Sequence, residues 1–222
     1  MSERNLICKN DLIDATKKCS STQLNIFYNL LYLSKEQKAF DPDLKESEVT
    51  YVSVEKLEQR LDCRKHLTKK ELIGVVSGIP KGIYSKDKQE YIAVFSFIRY
   101  DEECRDFSFK ITEDIKPYLY DVMEKFTVLE LKSLALLESN YAKRMYEFGS
   151  KCKNMGTYLM PILDFREYFK VPKTYNIGSI DARILNPSIN AVNEIAQFTI
   201  KAEKVKARNR VTHIKFKFKA KG

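Results

Sequence analysis

The sequence repeats one order of predicted elements, in which three helices are followed by a two-stranded hairpin. In the first copy each helix is predicted from apolar residues at helical spacing and a capping residue at its start. Each hairpin is predicted from two β-rich runs around a short polar turn. In the first copy the segments are SSTQLNIFYNLLYL, SVEKLEQRL, TKKELIGVVSGI, YIAVFSFIRY and RDFSFKI. Three helices closed by a hairpin form the order of a winged helix-turn-helix domain.

The second copy keeps this order with little identity to the first. Its first helix is predicted to run unbroken through FTVLELKSLALLESNYAKRMYEF. The later segments are LDFREYFKV, SIDARILNPSINAVNEIA, FTIKAEKVK and VTHIKFKFK. The predicted fold class is therefore α+β, with two tandem winged-helix domains related by internal duplication. We expect an N-terminal domain of residues 1–126 and a C-terminal domain of residues 127–222.

The third helix of the second copy has an apolar and a polar face. The apolar face, expected to pack inward, is formed by Leu185, Ile189, Val192 and Ala196. The polar face is formed by Ser179, Arg183, Asn186 and Asn190. Arginine can bind guanine, and asparagine can bind adenine, through paired hydrogen bonds in the major groove of DNA. An ordinary solvated helix surface has the same pattern, and only the basic hairpin that follows favours base recognition.

Pro187 lies inside this helix and lacks the N–H that would bond to the Arg183 carbonyl. We therefore expect a kink, or a helix boundary near Asn186.

The two hairpins differ in charge. The turn of the first is acidic and contains Asp101, Glu102, Glu103 and Asp106. The second carries Lys204, Lys206, Arg208 and Arg210. Strand cations by themselves often only keep a face solvated or protect an edge. Cations of one sign beside a candidate recognition helix favour contact with the phosphate backbone.

The last strand alternates apolar and cationic residues. Ile214, Phe216 and Phe218 fall on one face of an extended chain, and the intervening lysines fall on the other. A half-buried strand is predicted.

Two further pairs of residues are candidates for DNA contact. Lys173 and Tyr175 lie in the predicted turn VPKTYNIGS, ahead of the candidate recognition helix. Lys69 and Lys70 begin the third helix of the first copy, where we expect auxiliary DNA contacts.

The net charge of +9 comes from the second half of the chain. Residues 141–222 contain 17 Lys and Arg against 6 Asp and Glu, whereas the first 140 residues contain 22 against 24. A field of this sign attracts nucleic acid, anionic lipid or an acidic protein. Lipid is disfavoured because the cations lie on predicted strands and turns, and not on one side of an amphipathic helix.

Several classes of protein are excluded by what the sequence lacks. The five cysteines include no C-x-x-C pair, and neither a secretion signal nor a membrane-spanning run is found, so we expect a cytoplasmic protein without membrane contact. Two histidines are too few for the metal site of a nicking initiator, and GVVSGIPKG lacks the ending of a phosphate-binding loop. We expect no enzymatic activity, catalytic residue, cofactor or metal.

The motifs of the second half, taken in order, resemble those of the iteron-binding plasmid replication initiators of the Rep type 3 family. The motifs are Phe126-Thr127, Ser139-x-Tyr141 through Tyr146, Leu185-x-Pro187-x-Ile189, Val192-Asn193 and the basic strand VTHIKFKFK. The first half matches in layout through SFIRYDEECRDFSFKITEDIKPYLYDV. Ala191 departs from the pattern, since the family usually has an acidic residue there.

The resemblance implies two winged-helix domains that bind double-stranded DNA at repeated origin sequences, the iterons. It implies that the C-terminal domain makes most base contacts, while the N-terminal domain adds contacts or supports dimerisation. It also implies origin opening and recruitment of host replication proteins such as helicase. In a monomer–dimer equilibrium, dimers would repress the initiator's own promoter.

The residues alone support DNA binding and leave other functions open. A winged-helix transcriptional regulator without a replication role fits the same pattern. So does an interaction protein whose basic second half binds an acidic partner. Tandem repeats beside an AT-rich tract near the gene would favour initiation, whereas a lone palindrome in a promoter would favour regulation.

Overall fold

A computed structural model of the chain describes residues 4–40, 49–61, 66–85, 89–120 and 126–221. The chain forms two compact units, Met1–Leu136 and Leu137–Gly222. The division lies beyond the boundary expected between residues 126 and 127. The reason is that the strand Phe126–Glu130 pairs with the strand Asn5–Lys9 and therefore belongs to the N-terminal unit.

The predicted helix through FTVLELKSLALLESNYAKRMYEF is wrong in its first part. Phe126–Glu130 is a strand, Leu131–Leu136 is a short helix, and a second helix begins only at Asn140. The leucines of this segment have helical spacing, but Leu129 pairs with Leu6 in an antiparallel ribbon. Tertiary pairing here outweighs local periodicity.

Seven strands and five helices are described in the N-terminal unit. The strands are β1 (Asn5–Lys9), β2 (Thr50–Ser53), β3 (Gly82–Ser85), β4 (Glu90–Ala93), β5 (Phe95–Asp101), β6 (Asp106–Ile111) and β7 (Phe126–Glu130). The helices are α1 (Asn10–Ala15), α2 (Ser21–Phe40), α3 (Val54–Arg60), α4 (Lys69–Gly78) and α5 (Leu131–Leu136). The three helices predicted for the first copy, now α2, α3 and α4, are confirmed.

Capping residues start α3 and α4 as the sequence predicts. The Lys56 N–H donates to the Ser53 hydroxyl at 3.2 Å. At the start of α4 the Glu71 N–H donates to Thr68 Oγ1 at 3.3 Å, and the Thr68 N–H donates to Glu71 Oε2 at 2.8 Å. The hydrogen bonds from the Thr68 N–H and hydroxyl lower the pKa of the Glu71 carboxyl. This reciprocal pair satisfies backbone donors that the helix leaves without partners.

The main sheet of this unit has the antiparallel strand order β2–β6–β5. The hairpin predicted over YIAVFSFIRY and RDFSFKI is correct only in its second part. Its first run is two strands, because β4 pairs with β3 in a separate ribbon and only β5 pairs with β6. The switch occurs at Val94, whose N–H donates to Lys81 and whose carbonyl accepts from Thr112.

The C-terminal unit has three described strands and four described helices. The strands are β8 (Thr157–Pro161), β9 (Phe198–Ala207) and β10 (Arg210–Ala220). The helices are α6 (Asn140–Cys152), α7 (Ile162–Tyr168), α8 (Ile177–Ile180) and α9 (Asn186–Ile195). The sheet order is β8–β10–β9, and all pairs are antiparallel.

The core of this unit forms between the helices and one face of the sheet. Phe148 of α6 lies 4.9 Å from Phe216 and 5.7 Å from Phe218, measured between ring centroids. Gly149 brings α6 close to β9, because a Cβ there would lie 2.5 Å from the Phe198 ring. The alternation predicted for β10 is confirmed, since Ile214, Phe216 and Phe218 are buried.

The two units share one topology, as the predicted duplication requires. In each, a short strand leads directly into a short helix, β2 into α3 and β8 into α7. In each unit a hairpin, β5–β6 or β9–β10, is called the wing. The short strand pairs with the second strand of the wing, which in turn pairs with the first. The hairpins were visible in the sequence, whereas β2 and β8 were not predicted.

The boundary predicted near Asn186 is confirmed. Residues Asp181–Leu185 form a π-helical turn between α8 and α9, and Pro187 lies in the first turn of α9. A π-turn contains one residue more than regular α-helix needs, and it accommodates the missing N–H of Pro187.

Among the described residues, no helix is both long and apolar enough to span a bilayer. Cys8, Cys19, Cys104 and Cys152 form no disulfide with one another, and Cys63 lies outside the described residues.

Candidate nucleic-acid interface

The helical segment 177–195, formed by α8, the π-turn and α9, exposes the polar face that the sequence predicts. Arg183, Asn186 and Asn190 are exposed, and Ser179 is half-buried. The opposite face is buried through Leu185, Ile189, Val192 and Ala196. The outer side of this segment is therefore free to enter a groove.

Arg183 is held by Tyr175, a residue of the preceding turn. Its Nη1 donates to the Tyr175 hydroxyl at 3.4 Å, and its Cζ lies 5.3 Å from the centroid of the Tyr175 ring. The hydrogen bond that Arg183 donates to the Tyr175 hydroxyl raises the pKa of Arg183. Arg166 fixes the turn by donating to the Tyr175 carbonyl at 2.7 Å. Lys173 of the same turn is exposed.

The start of the segment is capped by Asn176. The Ser179 N–H donates to Asn176 Oδ1 at 2.8 Å. The Ser179 N–H is thus used by the cap. The hydroxyl of the Ser179 side chain is the group that can contact a ligand.

Asn193 joins the segment to the wing. Its Nδ2 donates to the Ile200 carbonyl at 2.9 Å, and the Ile200 N–H donates to its Oδ1 at 2.7 Å. The side-chain amide therefore pairs with the backbone of β9 as a neighbouring strand would. This fixes where the wing lies relative to Arg183 and Asn190.

The tip of the wing is a two-residue turn that presents cations. Arg208 and Asn209 have φ angles of 46° and 64°, and Ala207 pairs with Arg210 on either side of them. Positive φ at both central residues is typical of the type I′ turn that suits hairpin twist. Lys206, Arg208 and Arg210 are exposed and have no ion pair with any described residue. We call these three residues the basic wing tip.

Lys204 has a different environment from the other predicted wing cations. Its ammonium forms an ion pair with the Asp181 carboxylate in the π-turn. This pair is a second link between the helical segment and β9. It also places an acidic group next to the expected DNA surface.

The lysines of β10 lie on the other side of the sheet. Lys215 and Lys217 alternate with the buried Ile214, Phe216 and Phe218, so they point away from the helical segment. Lys217 pairs with Glu203 at 2.5 Å, and this hydrogen bond lowers the pKa of the Glu203 carboxyl. Lys204 and Lys206 share the inner face with Ile200. Only the inner face adjoins the candidate recognition surface.

In the N-terminal unit the candidate contact residues are near acidic groups. Lys69 and Lys70, at the start of α4, are both exposed. Lys69 forms an ion pair with Glu102, which lies in the turn between β5 and β6. Lys69 is therefore already paired within its own unit, whereas Lys70 has no such pair among the described residues.

Family models of initiator replication proteins match both halves of the chain. The model described as "Initiator Replication protein, WH1" matches residues 6–150, and the one described as "Initiator Rep protein, WH2" matches residues 161–218. The chain belongs to the initiator replication protein family. The two winged-helix domains are therefore those of an initiator, and the resemblance inferred from the sequence motifs is confirmed.

Two solved structures share the fold of this initiator family member. The Pi initiator protein in complex with iteron DNA is 16% identical, with a TM-score of 0.76 and 98% of each chain covered. Domains 2 and 3 of RctB are 7% identical, with a TM-score of 0.51 over 90% of this chain and 82% of that one. No curated protein gives a significant match.

Three residues of the candidate interface were missed at the level of sequence. Asn193 was noted as part of a motif, but its role in joining the segment to β9 depends on a pairing that only the fold reveals. Asp181 forms an ion pair with Lys204, and Arg166 donates to the Tyr175 carbonyl. In both pairs the partner lies in a different element of the chain. Lys204 lies 23 residues from Asp181 along the chain, so no local pattern in the sequence indicates their pairing.

Among the described residues there is no group of three or more His, Cys, Asp or Glu side chains that could hold a metal ion.

Proposed function

We propose that the chain is a plasmid replication initiator that binds iterons, the repeated sequences of the origin, through its C-terminal winged helix. The observation that carries this proposal is the exposed polar face of segment 177–195 beside the basic wing tip. Membership of the initiator replication protein family supports it. So does the shared fold with the Pi initiator, whose structure contains iteron DNA.

In the proposed complex the helical segment enters the major groove. Arg183 donates two hydrogen bonds to a guanine, and Asn186 and Asn190 bind adenines. The basic wing tip lies on the adjacent phosphate backbone, where contacts fix register and orientation without reading sequence. Lys173 and the Ser179 hydroxyl contact the backbone at the other end of the segment.

We propose that origin opening uses no catalytic step and no cofactor. Without nucleotide hydrolysis, only the free energy of binding and DNA supercoiling can drive it. Smooth bending of one site costs on the order of 1 to 6 kcal/mol, so several copies of the chain must act together. The opened tract would then be passed to host replication proteins such as helicase.

We further propose that the chain exchanges between monomer and homodimer, with the N-terminal unit supporting dimerisation and adding contacts through Lys70. Dimers would repress the initiator's own promoter. This activity places the protein in the cytoplasm, because that is where plasmid origins and replication enzymes are found.

The Arg183→Ala variant tests base reading. We expect it to lose roughly 1 to 3 kcal/mol of binding free energy on a duplex selected by the wild-type chain from a random pool, and much less on random DNA. Fluorescence anisotropy at fixed salt measures both affinities. Arg99→Ala, which removes an exposed arginine of β5, is the matched control and should change neither affinity.

Two outcomes would contradict the proposal. Equal affinity of the wild-type chain for repeated and scrambled duplexes would remove sequence-specific binding. An equal loss on both duplexes in Arg183→Ala would make Arg183 a phosphate contact instead of a base contact.

A further inference from the structure

The C-terminal sheet carries a second cationic surface that the proposed contact with DNA does not use. Cross-strand pairing places Lys217 opposite Lys201 and Lys215 opposite Glu203 on the face turned away from α9. Lys219 follows on the same face of β10. We call Lys201, Lys215, Lys217 and Lys219 the outer lysine face. DNA held by segment 177–195 lies on the other side of the sheet and cannot reach it.

The charges of this face are not balanced within the sheet. Lys201 and Lys217 lie directly opposite each other, and like charges in that position destabilise a strand pair. The Glu203 carboxylate pairs with Lys217, which compensates one cation of the four. An external anion would offset the remaining repulsion.

An apolar residue beside these lysines favours a protein over a second nucleic acid. Leu159 of β8 is the cross-strand neighbour of Lys215, and half of its surface is exposed. Protein–DNA interfaces are more polar than protein–protein interfaces, so an exposed leucine among these lysines fits a protein partner better.

The N-terminal unit of the same chain carries a surface of complementary charge. Asp101, Glu102 and Glu103 are exposed in the turn between β5 and β6, and we call them the acidic tip. Asp101 Oδ1 accepts hydrogen bonds from the Glu103 N–H at 2.9 Å and the Cys104 N–H at 3.0 Å. The turn is thus held in one conformation by its own side chain. Glu103 is exposed, and Glu102, which pairs with Lys69, keeps more than half of its side chain exposed.

We propose that the acidic tip of one copy binds the outer lysine face of the next copy on tandemly repeated DNA. This rests on the proposed function, because direct repeats place successive copies in the same orientation. Copies related in this way meet through two different surfaces, which is a heterologous contact. The chain carries two such surfaces of opposite charge. A single exposed ion pair contributes about 0 to 1 kcal/mol, so the contact depends on several pairs forming together.

Cooperative binding to paired sites tests the proposal. The probes are duplexes with one or two copies of the site selected by the wild-type chain, the two copies spaced by about 21 base pairs, or two helical turns. Coupling is the ratio of the second-site to the first-site affinity. We expect the wild-type chain to show coupling on the order of fivefold or more at low salt. It should fall as salt screens the charges.

Charge reversal on either surface should abolish this coupling. The variants are Lys215→Glu/Lys217→Glu on the outer lysine face and Glu103→Lys on the acidic tip. Asp101 is kept to hold the turn, and Glu102 is kept as the partner of Lys69. Each should bind the single-site duplex as the wild-type chain does, which also shows that it is folded. A chain that carries both reversals should regain coupling, because the two surfaces have exchanged charge.

The outcomes separate this proposal from the proposed function. No coupling in the wild-type chain, coupling that survives reversal, or a doubly reversed chain that stays uncoupled would each overturn the contact and leave iteron binding intact. Weaker single-site binding by Lys215→Glu/Lys217→Glu would overturn it by placing those lysines on the same DNA. Capture of a second, unrelated duplex by the wild-type complex would make the face a nucleic-acid site. Failure of the wild-type chain to select any site would remove the proposed function first.

Discussion

The wings of the two units have the same strand order and opposite charge. In the N-terminal unit the turn between β5 and β6 is acidic, and Glu102 pairs with Lys69 at the start of α4. In the C-terminal unit the basic wing tip is exposed, and Asn193 fixes the helical segment to β9. The shared topology therefore determines where helix and wing lie. A few surface side chains decide which of the two units attracts a phosphate backbone.

The largest expected effect comes from removing the charge of the basic wing tip. Replacing Lys206, Arg208 and Arg210 by Ala should flatten the dependence of log K on log salt by up to about 0.9 for each phosphate that the wing no longer neutralises. If each of the three side chains neutralises one phosphate, the slope should change by up to roughly 2.7. Titrations of a single-site duplex at several salt concentrations measure the slope.

The matched control removes three lysines from the other side of the same sheet. Replacing Lys201, Lys215 and Lys217 by Ala should leave the single-site salt slope unchanged, because these side chains point away from segment 177–195. If both triple variants flattened the slope equally, net charge and not the position of the wing would govern binding.

The next largest effect concerns the link between segment and wing, which the C-terminal unit makes through Asn193. Asn193→Ala should lower the free energy of unfolding by roughly 1 to 3 kcal/mol, because the Ile200 N–H and carbonyl would be left without their hydrogen-bond partners. Chemical denaturation followed by circular dichroism measures the change. Asn190→Ala, which is exposed on the same helix, should stay within about 0.5 kcal/mol of wild type while weakening DNA binding. Equal destabilisation by both would rule out a special role for Asn193.

The smallest expected effect is on the free energy of unfolding, through a helix cap whose contribution depends on pH in the N-terminal unit only. The pKa of Glu71 is lowered, so its contribution to stability is present above the ordinary glutamate pKa and is lost as pH falls through the lowered value. Glu71→Gln should therefore cost about 0.3 to 1 kcal/mol at pH 7 and less at an acidic pH below the lowered pKa. Denaturant titrations at the two pH values test this.

The C-terminal cap supplies the control because Asn176 carries no charge. Asn176→Ala should cost about 0.5 to 2 kcal/mol at both pH values. A pH-independent cost for Glu71→Gln would mean that the carboxylate charge contributes nothing to the cap.

The sequence predicted those elements that depend on residues close to one another in the chain. Ser53 and Thr68 mark helix starts because their caps depend on residues only three positions away. The alternation of Ile214, Phe216 and Phe218 marks a strand with one buried face. Helical spacing alone predicts that Arg183, Asn186 and Asn190 are exposed. These features were predictable before any tertiary contact was known.

Elements that form through pairing with residues far along the chain could not be predicted in the same way. β7 is a strand because it pairs with β1, although its leucines have helical spacing. β2 has only four residues, and it becomes a strand through its pairing with β6. The pairing of Lys204 with Asp181 and of Lys69 with Glu102 joins residues from different elements. Which predicted cations are already neutralised is thus a property of the fold.

The π-turn at Asp181–Leu185 gives the C-terminal unit a simple route to new specificity. A residue in a regular α-helix turns the chain by about 100°, so the extra residue of the turn offsets Ser179 from Asn190 by that angle. Deleting Ala182 would keep Ser179, Arg183, Asn186 and Asn190 and would change the direction of Ser179 relative to Asn186 and Asn190. Initiators of this kind could therefore diverge in the repeats they recognise through a change in length alone, which comparisons of aligned contact residues would overlook.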